Sequence, residues 1–373
     1  MITEAPSSDD LRRQMTDALE AAGCIRSAAW RDAFLNVARE TFVPHYTVRV
    51  QGKLHRYRHG DPAWLVMAYR DVSLLTQTNA DGTTTSSSTQ PSLMAQMLEA
   101  LDVRDGDQVL EIGAGTGYNA ALLSHRLGAD HVVTIDVDPE LVAAARTRLS
   151  EAGYEPTLIA GDGTAGHPAR APYDRLLATC GVHRIPTPWL EQLRPGAVIV
   201  ANIGCGLARL VIEEGGARGR FLPGLITFLN ARPTPDALPT PAQRLVQPML
   251  TWSGRTREIT VPAGLDTTGH QFLASLLHPG VTEFALMNGD RQLRCLFDPD
   301  TSSWARISMT GVVTARLDHG GPRDLWAERE PLLTHWRDSG RPGPDRYGLT
   351  VSATGAHTLW LDEPEGPSWR LPV

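Results

Sequence analysis

Apolar residues recur at helical spacing from Leu11 to Ala22 and again from Ala28 to Arg39, with Gly23 between them as a stop signal. The chain therefore opens with two predicted helices. In "ETFVPHY" (Glu40 to Tyr46) Pro44 disfavours helix continuation. "RVQGKLHRYRH" (Arg49 to His59) then reads as an irregular basic loop, and "AYRDVSLLTQ" (Ala68 to Gln77) carries strand-like residues. From Gln77 to Thr89 the sequence is polar and turn-forming, a loop able to close over something. An apolar stripe of Leu93, Met94, Met97, Leu98 and Leu101 predicts a helix from Pro91 to Leu101, with Pro91 in its first turn and Thr89 or Gln90 near its cap.

The middle of the chain alternates regularly. Short apolar runs, "QVLEIG" (Gln108 to Gly113), "HVVTID" (His131 to Asp136), "PTLIAGD" (Pro156 to Asp162), "DRLLAT" (Asp174 to Thr179) and "AVIVAN" (Ala197 to Asn202), are separated by helix-like segments. Nearly continuous apolar strands are those buried on both faces, so the pattern predicts an α/β fold, a doubly wound, mostly parallel sheet with helices on either side. After Arg220 the pattern changes. Residues 230–248 hold five prolines and read as a linker. Six of the nine tryptophans follow it among short strand-like runs, which suggests a smaller α+β domain. The expected division is a helical, substrate-covering segment at 1–80, a core at 81–229, a linker at 230–248 and an accessory, peptide-binding domain at 249–373.

Composition narrows the function. A net charge of −7 argues against a nucleic-acid partner, which needs many Lys and Arg to neutralise phosphates. The basic stretch at Arg49 to His59 is either a solvated loop or a surface that meets an acidic peptide. No apolar run reaches the roughly 18 residues of a membrane span, and the acidic start lacks the features of a secretory signal, so no membrane partner and a cytoplasmic location are expected. Cys24, Cys180, Cys205 and Cys295 are scattered, without zinc or disulfide spacing, so no metal is expected.

Candidate chemistry gathers at "EIGAGTGYN". Its glycines, Gly113, Gly115 and Gly117, follow G-x-G-x-G spacing, which disfavours NAD, whose fingerprint needs the third glycine one place later. Such a turn brings backbone close to a ligand and aims the free N–H groups of the next helix at an anionic group. Asp136 ends the second strand, where a carboxylate accepts from both ribose hydroxyls. Asp162 and Gly163 end the third, where an adenine amino group and ring would fit. The three features in register predict a nucleoside-bearing pocket, as in enzymes that use S-adenosyl-L-methionine (SAM).

The order "ARETFVPHY", "AYRDVSLLT", "STQPSLMAQMLEAL", "VLEIGAGTGYNAALL", "IAGDGTAG", "APYDRLLATCGVHRIPTPWLEQLRPG" resembles the protein-L-isoaspartate O-methyltransferase family over roughly residues 30 to 205. The resemblance implies a Rossmann-like methyltransferase fold, SAM as cofactor held by Glu111, Gly113, Gly115, Gly117, Asp136, Asp162 and Gly163, and methylation of a peptide carboxylate. It places the family's important hydroxyl on Thr89, with Ser87 and Ser88 beside it as further candidate catalytic groups. This chain has serines where the family usually has threonine and isoleucine, and it continues well past the sheet. In that layout it is more similar to the methyltransferases found beside ATP-grasp enzymes in graspetide biosynthesis. They imply methylation of an aspartate in a cyclised precursor peptide, the ester then collapsing to an aspartimide.

The alternatives are a general isoaspartyl repair enzyme and a non-catalytic SAM- and peptide-binding module. A hydroxyl or amine acceptor would need a base near the methyl group, and no motif places one. A carboxylate needs none, since an aspartyl side chain with a pKa of about 3.9 is already ionised near neutrality. A single helix cap accounts for one hydroxyl at the entrance of the Pro91 helix. The remainder are either ordinary loop serines or donors that hold the substrate carboxylate. Cys180 is either a small buried residue or part of the substrate mouth.

Overall fold

The computed structural model describes residues 6–238, 249–261, 269–288 and 291–372. Helix α1 (Ser8–Ala21) starts in a reciprocal capping box between Ser7 and Asp10, and α2 (Ala28–Asn36) is capped by Ser27. The basic stretch is not an irregular loop. β1 (His45–Val50) and β2 (Lys53–Arg58) form an antiparallel hairpin whose two turn residues, Gln51 and Gly52, have φ of 48° and 80°. Two positive φ values match the twist of a two-residue hairpin turn, and Gln-Gly is a weaker sequence signal for it than Asn-Gly.

Short helix α3 (Trp64–Ala68) packs on the inner face of that hairpin, in a cluster with Tyr46, Val48 and Leu74. β3 (Leu74–Thr78) and β4 (Thr84–Ser88) complete a four-stranded sheet of order β2-β1-β3-β4. Ser86, Ser87 and Ser88 therefore sit on a strand, where they were expected in a loop. Helix α4 (Pro91–Leu101) has the predicted bounds, with Gln90 at its cap position. None of the preceding hydroxyls caps it. Asp71 accepts from the Ser92 N–H at 2.8 Å, and the Ser73 hydroxyl accepts from the Gln90 N–H at 3.3 Å.

The expected doubly wound sheet follows. β5 (Val109–Ile112), α5 (Tyr118–Leu127), β6 (Val132–Asp136), α6 (Pro139–Glu151), β7 (Thr157–Ala160), β8 (Tyr173–Val182), α7 (Thr187–Glu191) and β9 (Leu193–Ile203) alternate along the chain, and the strands pair in parallel in the order β9-β8-β5-β6-β7. Both faces are covered, which explains the unbroken apolar runs. Val109, Leu177 and Val200 pack with Phe34, Leu98 and Leu122 on one side, while Leu110, Leu176 and Ile199 pack with Trp189 on the other. β10 (Gly206–Glu213) and β11 (Gly216–Phe221) extend the sheet as an antiparallel hairpin beside β9.

Beyond the linker, β12 (Arg255–Thr260), α8 (Gly269–Leu277), β13 (Thr282–Asn288), β14 (Arg291–Asp298), β15 (Ser303–Met309) and β16 (Thr314–Gly320) build a separate five-stranded antiparallel sheet of order β12-β16-β15-β14-β13, against which α9 (Leu325–Asp338) packs. The last strands return. β17 (Tyr347–Ser352) pairs with β11, and β18 (His357–Leu361) and β19 (Ser368–Arg370) follow, so the central sheet has ten strands. The central sheet thus draws strands from both sides of the boundary expected at residue 249, because the hairpin β10–β11 leaves an open edge that the chain end fills. Among the described residues, no helix is long and apolar enough to cross a membrane.

Candidate active site

Where β5 ends, the backbone turns through Gly113, Gly115 and Gly117, with φ of 98°, 51° and 91°, into α5. The turn is tied to the end of β6. The N–H groups of Gly113 and Ala114 donate to the carbonyl of Ile135 at 2.8 and 3.0 Å, and that of Gly115 donates to the Asp136 carboxylate at 2.8 Å. Burial raises the pKa of Asp136, and the N–H groups of Gly115 and Asp138 oppose that shift. A β-carbon at Gly113 would stand 2.7 Å from Thr179 Oγ1, and one at Gly163 would stand 2.4 Å from Ile112 Cγ2, so neither position admits a side chain without displacing its neighbour.

In front of this turn lies a cleft of about 900 Å³, including open solvent at its mouth. Gly113, Gly115, Asp136 and Gly163 line it, as do Thr85 to Ser88 of β4 and Thr89 just after that strand. The structure thus brings together Ser87, Ser88 and Thr89 with four of the expected cofactor residues. Ser86 is engaged, accepting from Thr76 Oγ1 at 3.2 Å. The hydroxyls of Ser87, Ser88 and Thr89 make no hydrogen bond within the described residues. They are donors without a protein acceptor at the edge of a cleft.

Three expected cofactor residues stand behind the wall rather than in it. Glu111 is fully buried on β5, accepts from Asn119 Nδ2 and Thr134 Oγ1 at 2.6 Å each, and is pushed up to about 7 by burial against those two bonds. It ties β5 to β6 and α5. Gly117 begins α5, and a β-carbon there would press within 3.3 Å of Ala145 and Leu149, so it serves the packing of α6 against the turn. Asp162 accepts from both the N–H and the hydroxyl of Thr164, at 2.9 and 2.8 Å, capping a short turn of 3₁₀ helix. Cys180 does reach the cleft, but burial and the nearby Asp136 push its thiol up to about 12, which favours the protonated thiol over the nucleophilic thiolate.

Sequence reasoning missed two supports of the site. The first is Arg39, fully buried, whose guanidinium donates to the carbonyls of Ala68, Arg70, Val72, Ser88 and Thr89 at 2.7, 3.1, 3.3, 3.5 and 3.0 Å. Among the described residues it has no carboxylate partner. Burial lowers its pKa to about 10, which leaves it charged at neutral pH. In "ARETFV" Arg39 is followed by Glu40 and Thr41, so the sequence reads as an ordinary polar turn and carries no signal that the arginine is buried.

The second is the junction between the expected core, which ends at residue 229, and the expected linker, which starts at residue 230. Phe228 to Arg232 line the cleft, and this strap runs parallel to the end of β8. Gly181 N–H donates to Leu229 O at 2.9 Å and Ala231 N–H to Gly181 O at 2.8 Å. Buried Asn202 anchors it further, donating to Ile226 O at 2.9 Å and accepting from Phe228 N–H at 3.2 Å. Arg232 reaches across the cleft to Thr85 O at 3.3 Å.

A glycine turn, a helix N-terminus and a carboxylate at successive strand ends fit the amino-acid and ribose parts of a nucleoside cofactor, and they stand at the carboxyl ends of a doubly wound parallel sheet, where such cofactors bind. The protein is a methyltransferase of that class. The profile of the protein-L-isoaspartate(D-aspartate) O-methyltransferase family matches residues 10–213. A protein-L-isoaspartate O-methyltransferase from Ignicoccus hospitalis is 37% identical over 197 residues, covering 52% of this chain and 82% of that protein. One from Xanthobacter autotrophicus is 45% identical over 175 residues, covering 44% and 76%. A solved structure of a protein-L-isoaspartate O-methyltransferase superposes with a TM-score of 0.56 at 23% identity, covering 94% of this chain and 100% of that one. The chain belongs to the protein-L-isoaspartate O-methyltransferase family and is a SAM-dependent protein carboxyl methyltransferase.

Proposed function

We propose that this enzyme methylates the side-chain carboxylate of an aspartyl or isoaspartyl residue in a peptide, and that its dedicated role is the maturation of a cyclised precursor peptide. The observation that carries the carboxylate assignment is the set of hydroxyl-bearing residues Ser87, Ser88 and Thr89, whose side chains make no hydrogen bond to the described protein and which line the same cleft as the glycine turn. Bound SAM supplies an electrophilic methyl group on a sulfonium. Asp136 and the backbone of Gly113 and Gly115 are the groups that would hold it.

The acceptor oxygen is ionised before it binds, so no side chain has to remove a proton. Neutral hydroxyls orient a carboxylate without quenching its nucleophilicity, as a guanidinium would. Fixing the reacting atoms in line accounts for much of a methyl transfer, with effective molarities on the order of 10⁵ M or more. The methyl ester is then activated toward attack by the following backbone amide nitrogen, which closes a five-membered imide and releases methanol.

The maturation role is supported by the serines at 87 and 88 and by the chain beyond the core. General repair of isoaspartyl residues is favoured by a different observation: a solved structure named only as a protein-L-isoaspartate O-methyltransferase covers 94% of this chain, so the extra region by itself does not mark a specialised enzyme. Methyl transfer from SAM is to be assayed on an isoaspartyl peptide and on a cyclised precursor peptide. A specialised enzyme gives, on the second, a one-methyl gain followed by net loss of one water, and little turnover of the first. The triple variant Thr89→Val, Ser87→Ala, Ser88→Ala should lose about 10²-fold or more in kcat/KM with SAM affinity kept, a scale set by the removal of preorganised donors. Unchanged turnover in a folded triple variant sinks the hydroxyl assignment.

A further inference from the structure

The four-stranded sheet in front of the cleft has two faces of different character. Inward, Tyr46, Val48 and Leu74 are buried with Trp64. Outward, His45, Arg49, Arg56 and Arg58 are exposed, and the stretch from His45 to Arg58 contains no acidic residue. Among the described residues none of Arg49, Lys53, Arg56 and Arg58 forms an ion pair, and a groove runs over Thr47, Arg56, Arg58, Leu75 and Gln77.

The pairing register connects that groove to the catalytic hydroxyls. Arg56 lies opposite Thr47, Thr47 opposite Leu75, and Leu75 opposite Ser87. Residues directly opposite one another in antiparallel pairs share a face, so these four make one row across the sheet. Its far end, Ser87, lines the cleft. Three strand spacings of about 4.8 Å put Arg56 about 14 Å from Ser87, the span of roughly four residues of extended chain.

We propose that the outer face of this sheet is a docking track for the acidic flank of the peptide substrate, with Arg56 and Arg58 receiving a carboxylate about three to five residues from the methylated one. The inference rests on the peptide-carboxylate reading above and adds the substrate's charge pattern. An arginine fork matches a carboxylate, and a cation placed there raises local substrate concentration although the whole chain is negative.

The test uses the full chain and two fluorescent peptides, each with one isoaspartyl residue: one has two glutamates four residues away, on both sides in separate versions, and the other has glutamines there. Anisotropy at low salt should show the acidic peptide in one version bound about tenfold tighter, a preference lost in Arg56→Ala/Arg58→Ala and at high ionic strength. SAM affinity and the kcat for the glutamine peptide should not change. Equal affinity for all peptides, or a preference that survives in the double variant, overturns the docking track. So does a single-stranded oligonucleotide of equal charge that binds as tightly and competes. Because binding is read separately from methyl transfer, absence of turnover on peptides that still bind in this charge-dependent way counts against the proposed function and leaves the docking track standing.

Discussion

At the residue scale, the geometry of the acceptor strand depends on a side chain that never meets the cleft. Arg39 joins three carbonyls of the α3–β3 connection to those of Ser88 and Thr89, and only a planar fork can reach all five. An ammonium carries the same charge but offers three donors from one point. Arg39→Lys should therefore leave buried carbonyls unpaired, at about 1–3 kcal/mol each, and let Ser88 and Thr89 drift from their places. The expected outcome is a folded but less stable enzyme whose peptide kcat/KM falls at least tenfold, while SAM affinity, read by calorimetry, stays within about twofold. A displacement of about 1 Å is enough for a loss of that order or larger. Equal losses in SAM affinity and peptide turnover would show that Arg39 acts on the fold as a whole and not on this strand.

At the scale of elements, the parallel strands were legible because burial on both faces writes itself as unbroken apolar runs, and α4 because Pro91 and a stripe of five apolar residues mark its ends and face. The hairpin β1–β2 was not, since its outer face is mostly polar and basic and its turn is Gln-Gly. Nor was β4: a run of Thr and Ser has no hydrophobic alternation, and only pairing with β3 makes it a strand. Of the site, glycines and acids at strand ends could be placed by spacing, while the separation of wall from backing could not. Glu111, Asp162 and Asp136 look alike in sequence, and only the three-dimensional structure shows which of the three carboxylates lines the cleft.

The strap from Phe228 to Arg232 escaped for another reason, because its pairing partner is Gly181, far upstream. That pairing makes a prediction. A β-carbon at Gly181 would lie 2.7 Å from Asn230 Oδ1 and 3.0 Å from Asn202 Oδ1, so Gly181→Val displaces the Asn230 side chain and disturbs the Asn202 carboxamide that anchors the strap beside β8. Peptide KM should rise about tenfold or more, with the central sheet intact by circular dichroism; an unchanged KM would mean the strap plays no part in closing the cleft.

At the scale of the whole molecule, the return of the chain end to the central sheet decides what kind of object the region beyond residue 249 is. β17 is buried, with Tyr347 and Leu349 fully inaccessible, and its partner β11 offers a row of backbone donors and acceptors to it. Helix α8 contributes Phe272, Leu273 and Leu276 to the same core that holds Trp189 and Ile199. An accessory domain joined only by a linker could be removed without harm. Here, truncation after Leu238 would strip one face of the sheet of that cover and leave β11 as an exposed edge, which is a site for aggregation. Leu349→Ala offers a milder version, since emptying a fully buried leucine site costs about 2–5 kcal/mol. The expected outcome is that the truncated chain is insoluble or fails to bind SAM, and that Leu349→Ala lowers the temperature at which SAM binding is lost, even though β17 is separated from β5 and its cofactor turn by β11, β10, β9 and β8. A soluble truncated chain with full SAM affinity would show instead that the cofactor-binding half folds alone and that the closing strands serve only the substrate.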